Sequence, residues 1–196
     1  MNAAATGTPF LFGKLPAHGD FVSRGLGDTA RQAWDDWATQ ALERLRAAHD
    51  DFEAAHDAAP PWRFISGPSV LGEGWRAGAL APSVDGAGRR FILAVGVGGW
   101  SSARAAGCGQ AAAAAMEDVL YRALAEGLAA DSVMDLATEQ LIGLGEQAAV
   151  GDALGAGPGQ PGVWWSAGLG LAPRIAATPP ANLLTSADFG LSENAA

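Results

Sequence analysis

Arg90-Phe91-Ile92-Leu93-Ala94-Val95-Gly96-Val97 is a nearly continuous apolar run. Such a run suits a strand buried on both faces of a sheet. Upstream of it, 83–88 has the composition of a turn, and 74–82 alternates imperfectly after Trp75, as a strand does. The three segments together predict an antiparallel hairpin with a longer loop. Further out, 9–14 and 62–66 are aromatic and apolar between breakers and predict two more strands. The Trp164-Trp165 segment predicts a strand over 163–167 that returns to the same sheet, with Gly168 and Gly170 at a bend. Residues 173–178 would pair back on it until Pro179-Pro180.

Helical patterns interrupt these strands. In 29–48, Trp34, Trp37, Ala41, Leu45 and Ala48 recur at three and four residues, which is one helical face. Thr29 and Gln32 have capping-box spacing at its start. Residues 49–59 are more polar, and either continue this helix or loop out before Pro60-Pro61. Residues 105–130 are alanine-rich, with Met116, Val119, Leu120, Ala123 and Leu124 as the expected core stripe. Residues 132–149 predict a further helix, which Ser132 can cap and whose first turn Asp135 suits. Residues 15–27 read as an ordered loop, and 151–162, with five Gly and two Pro, as a flexible one.

Strands interrupted by helical blocks predict a single α+β domain with a central, mainly antiparallel β-sheet flanked by α-helices. The expected boundaries are a flexible N-terminus over 1–8, one domain over 9–180 and a tail over 181–196 with one helical turn. A chain of 196 residues, 49% of them apolar, has enough material for one substantial core. Seven tryptophans supply large buried areas, each with an indole N–H that wants an acceptor.

The formal net charge is −9, from 12 basic and 21 acidic residues, and no stretch concentrates Lys or Arg. That disfavours nucleic-acid binding, which phosphate contacts dominate, and adhesion to anionic membranes. Cys108 is the only cysteine, so no disulfide forms within the chain. Neither a signal peptide nor a membrane-spanning run is visible, so the expected setting is soluble and cytoplasmic.

Several residues have the chemistry of a site. His18 and Asp20 are ordinary metal ligands on one loop, but two ligands do not complete a metal centre. His49 and His56 have no recognised ligand spacing. Ser83, His18 and Asp20 supply the residue types of a hydrolase triad, although no Gly-x-Ser-x-Gly elbow surrounds Ser83. The bland reading is a turn in which Ser83 and Asp85 bond their own backbone. Gly107-Cys108-Gly109 is not followed by Gly-Lys-Ser/Thr, and Gly155-Ala156-Gly157 lacks a dinucleotide-site context. No catalytic, metal or cofactor set emerges.

Six segments in order carry a resemblance. Phe12-Gly13-Lys14-Leu15-Pro16, Gly19-Asp20-Phe21-Val22-Ser23-Arg24 and Trp34-Asp35-Asp36-Trp37 resemble the N-terminal signature of the TagF family of type VI secretion-associated proteins. Trp62-Arg63-Phe64 is similar to the family's Trp-Arg-Phe strand. Trp75 with Pro82-Ser83-Val84-Asp85 and Gly88-Arg89, and then Val163-Trp164-Trp165, resemble its later elements. Residues 105–162 do not align by motif, and His18 has no place in the pattern.

The resemblance implies a non-enzymatic regulator, a post-translational repressor of a type VI secretion system. It implies binding to the forkhead-associated scaffold protein, alongside a kinase–phosphatase switch. Gly19, Asp20, Phe21, Arg24, Trp34, Trp37, Ser83, Asp85 and Arg89 carry over as signature positions. Asp20–Arg24 and Asp85–Arg89 are expected as two acid–base pairs in one network, either fixing the fold or contacting the partner. The competing readings are a small hydrolase using Ser83, His18 and Asp20, and a structural subunit of a secretion assembly.

Overall fold

The computed structural model describes residues 7–69, 71, 72, 74–144, 162–167, 173–176, 179, 180 and 182–185. Its strands are β1 (Thr8–Gly13), β2 (Val22–Arg24), β3 (Trp62–Ser66), β4 (Trp75–Val84), β5 (Arg90–Trp100), β6 (Gly162–Trp165) and β7 (Arg174–Ile175). Its helices are α1 (Asp28–Ala48), α2 (Phe52–Ala58), α3 (Ser102–Ala125) and α4 (Ala130–Gly143). The strands form one sheet in the order β2-β1-β5-β4-β3-β6-β7, and every neighbouring pair is antiparallel. This is the expected α+β architecture.

The sheet is the middle of three layers, which is why β5 is apolar on both sides. Leu93, Val95 and Val97 pack with Met116, Val119 and Leu120 of α3 and with Val133 and Leu141 of α4. Ile92 and Ala94 face Phe10, Phe12, Phe64, Trp62 and Trp164, together with Trp34 and Leu45 of α1. Within this aromatic layer, the Phe64 and Trp164 rings stack with centroids 4.8 Å apart. Gly78 and Gly96 sit opposite one another in the central hairpin. A Cβ on Gly96 would lie 2.6 Å from the Phe10 ring, and one on Gly78 2.8 Å from Phe64. The two glycines leave the room that these rings fill.

The hairpin of β4 and β5 forms as expected, but Ser83 and Val84 belong to β4, leaving 85–89 as the turn. The segment 15–27 is not all loop: β2 lies within it and pairs with β1. α1 starts at Asp28 after Gly27, with no side-chain cap, so the Thr29–Gln32 box does not form; Gln32 instead donates to Asp36. Ala48 is exposed, and Ala38 and Leu42 complete the buried stripe. Residues 49–59 contain the separate helix α2, which Asp51 caps by accepting from the Ala54 N–H at 3.0 Å. α4 begins two residues before Ser132, which therefore does not cap it.

Leu183 and Leu184, assigned to a tail by sequence, are buried in the aromatic layer, and the Trp62 indole N–H donates to the Leu183 carbonyl at 2.9 Å. Pairing of 173–178 with the Trp-Trp strand is seen as β6 with β7. Residues 1–6, 145–161, Gly168 and Gly170 lie outside the described residues, and with them the expected N-terminal fraying, the end of the last helix, most of the glycine-rich loop and the bend.

Candidate functional site: a loop junction centred on Asp85

The signature positions of the two loops converge at one end of the sheet. Asp85 follows β4, and its carboxyl group is fully enclosed. One oxygen accepts from the backbone N–H groups of Ala87 (3.0 Å) and Arg89 (2.9 Å). The other meets Arg89 Nε at 2.7 Å and Lys14 Nζ at 3.0 Å. Burial alone would push the pKa of this carboxyl up. The Arg89 N–H, the Lys14 ammonium, the Arg89 guanidinium and the Ala87 N–H together outweigh it and hold the group well below the usual carboxylate range.

The same junction reaches the N-terminal loop by several routes. Arg89 Nη2 donates to the Gly19 carbonyl at 2.5 Å, and the Gly86 N–H donates to the His18 carbonyl at 2.7 Å. The Ser83 hydroxyl donates to the Lys14 carbonyl at 2.7 Å. His18 Nε2 accepts from the Ala130 N–H at 3.0 Å, so its ring proton sits on Nδ1 and the side chain caps α4. That contact replaces the missing cap on Ala129. Loop 14–19, turn 85–89 and the start of α4 are thus tied together.

The Asp85–Arg89 pair forms as expected; the Asp20–Arg24 pair does not. Asp20 accepts from the Phe21 N–H at 2.8 Å and is exposed. Arg24 turns to Asp131 of α4 at 3.2 Å and to the Ser23 carbonyl. A backbone amide one residue away competes with the distant cation for Asp20, and the short strand β2 directs Arg24 toward α4. Arg24 and Asp131 are 47% and 85% exposed, so this bridge is worth about 0–1 kcal/mol. Phe21 packs edge-on against Phe12, with centroids 4.7 Å apart, and against Phe91 at 5.7 Å.

Trp34 is a core residue, and Trp37 is half-buried with its ring perpendicular to that of Trp34. The indole N–H of each is buried without a hydrogen-bond partner. In the T-shaped pair the π face of one ring stands toward the edge of the other.

The hydrolase constellation is not assembled. Ser83, His18 and Asp20 are each committed to a different backbone group. Asp85 accepts from two amides and two cations, so no lone pair is left for base chemistry. Among the described residues no group of three or more His, Cys, Asp or Glu side chains is placed to hold a metal. Cys108 is buried inside α3, in the core.

Two features escaped the sequence reading. Lys14 reads as an ordinary solvated lysine, and only its place in the quoted Gly-Lys-Leu-Pro segment hinted at a role. The Arg63–Glu117 pair, with Nη2 to Oε2 at 2.6 Å, joins β3 to α3 across 54 positions and leaves no local signal.

Fold and junction together define an α+β domain whose N-terminal loop, central turn and last described helix are clamped around one ionised carboxylate. The sequence pattern of the TagF N-terminal domain, described as type VI secretion system-associated, matches residues 11–140. The chain belongs to that family. The fold is also that of PA0076 from Pseudomonas aeruginosa PAO1, known from a crystal structure. The two are 22% identical, with a TM-score of 0.64, over 90% of this chain and 92% of that one. No curated protein matches the chain significantly. Among the described residues no helix is long and apolar enough to cross a membrane.

Proposed function

We propose that this chain is a non-enzymatic, cytoplasmic repressor of a bacterial type VI secretion system, acting after translation by binding the system's forkhead-associated scaffold protein. The observation that carries the reading is the state of the signature residues within a TagF-family domain. Ser83, Asp85 and Arg89 spend their polar groups on one another's loops, and His18, outside the signature, adds the tie to α4. The outcome is a rigid end of the sheet that presents Asp20, Arg24 and the exposed residues 86–88. Preorganised loops of this kind lower the ordering cost of binding a protein. On this reading the repression works alongside a kinase–phosphatase switch.

The test is capture of the tagged chain from cells that carry a type VI gene cluster. Recovery of the forkhead-associated scaffold, lost on Arg24→Glu with the fold intact, is expected. Deletion of the gene should raise secretion. Unchanged secretion with normal levels of the apparatus would overturn the repressor reading. Hydrolysis of ester or peptide substrates that disappears in Ser83→Ala would revive the hydrolase.

A further inference from the structure

α2 is a seven-residue helix whose buried residue is His56, only 1% exposed. The ring stands between two oxygens. Nε2 is 2.6 Å from the Phe91 carbonyl of β5, and Nδ1 is 3.0 Å from Asp57 Oδ1. A carbonyl oxygen can only accept, so Nε2 must carry a proton. An ionised carboxylate can only accept too, so Nδ1 must carry one whenever Asp57 is charged. Asp57 does stay charged: hydrogen bonding from Arg90, then from His56, draws it down from 3.8 to about 2 against the effect of burial.

We propose that His56 is a proton-operated latch: with both ring nitrogens protonated it pins α2 to β5, and loss of either ring proton releases α2. A neutral ring, in either tautomer, turns a lone pair toward one of the two oxygens. At a buried position water does not replace the lost bond.

The surrounding charges fit a cationic ring. Within α2, Asp57 and Glu53 both bind Arg90 of β5, at 2.8 and 2.9 Å. On the α1 side, Phe52 packs on the His56 ring with centroids 6.0 Å apart, and the Arg46 guanidinium lies 4.1 Å from the Phe52 centroid. β4, which α2 also touches, carries Arg76 as its only charged residue. Two carboxylates therefore face Arg90, and one of them, Asp57, also meets the ring. Release of α2 would lift Phe52 and Ala55 from the aromatic layer and uncover Phe91, the ring against which Phe21 of the loop junction packs. The latch would couple proton concentration to the loops that carry the family signature.

The sign follows from the chemistry. The latch is closed while the ring holds both protons, and it opens as pH rises through the ring's titration. The experiment follows the full chain from about pH 5 to about pH 8, the range in which histidine changes charge. Ring nitrogen NMR reports the His56 protons, and hydrogen exchange reports protection of the α2 amides. Protection factors in α2 should fall about tenfold or more as the ring loses a proton, matching the loss of a charged hydrogen bond. In Asp57→Asn the new amide can donate to a neutral Nδ1, so the drop should vanish while the fold remains. His56→Ala is a poorer test because it leaves a cavity. Protection that stays constant through the ring's titration, or that falls equally in Asp57→Asn, overturns the latch.

Discussion

Asp85 is enclosed between Lys14 and Arg89, so removing its charge and removing a neighbour should have different effects. Asp85→Asn keeps the shape but leaves two cations facing a neutral amide. We expect a fall in Tm of about 4 °C or more, measured by calorimetry, with faster exchange of the Gly86 and Arg89 amides. Ser83→Ala leaves the Lys14 carbonyl short of a donor and should cost about 1 kcal/mol in denaturant unfolding. The buried or paired carboxylates also give an acid signature. Asp85 and Asp57 are both more acidic folded than unfolded, so their stabilisation is complete above the ordinary carboxylate value of 3.8. It fades as pH falls, through about 2 for Asp57 and through the strongly depressed range of Asp85. Asp85→Asn should flatten the acid limb of a stability–pH curve, and an unchanged acid limb would contradict the enclosure.

At the scale of elements, side chains from remote segments hold the helices in place. His18→Ala removes the acceptor at the start of α4 and should cost about 1 kcal/mol, with fraying at residues 130–133 visible in hydrogen exchange. Glu117→Gln breaks the pair that fastens α3 to β3. Arg63 is 23% exposed and Glu117 7%, so the loss is expected near 3 kcal/mol by urea unfolding. These contacts explain what could be read in advance. β5 announced itself through its apolar run, and α1 through its tryptophan period, because burial on a periodic face leaves a local pattern. β2, three residues long at an edge, leaves no such pattern. The Asp85–Arg89 pair was legible because both partners sit in one turn. Arg24 misled because its partner, Asp131, is 107 positions away. Sequence spacing proposes local pairs and is silent on distant ones, so His18, which has the chemistry of a ligand or a base, serves instead as a helix cap.

For the whole molecule, the aromatic layer depends on chain segments from both ends. Phe10, Trp34 and Phe64 meet Trp164, Leu183 and Leu184 in one cluster. Leu184→Ala should therefore destabilise the entire domain by about 2–5 kcal/mol rather than loosen an end, as chemical unfolding with near-UV dichroism would report. The strand order adds a constraint in time. β4 and β5 are joined by a short turn and can pair early, whereas β1 must wait for β5, and β3 finds its outer neighbour only when β6 has been made. Sheets closed by such distant pairings fold slowly. During synthesis the N-terminal segments leave the ribosome first, with Trp62 lacking its Leu183 acceptor and the Phe64 ring lacking Trp164. Until the last strands emerge, the nascent chain carries an uncovered aromatic face, which makes it a natural client for chaperones.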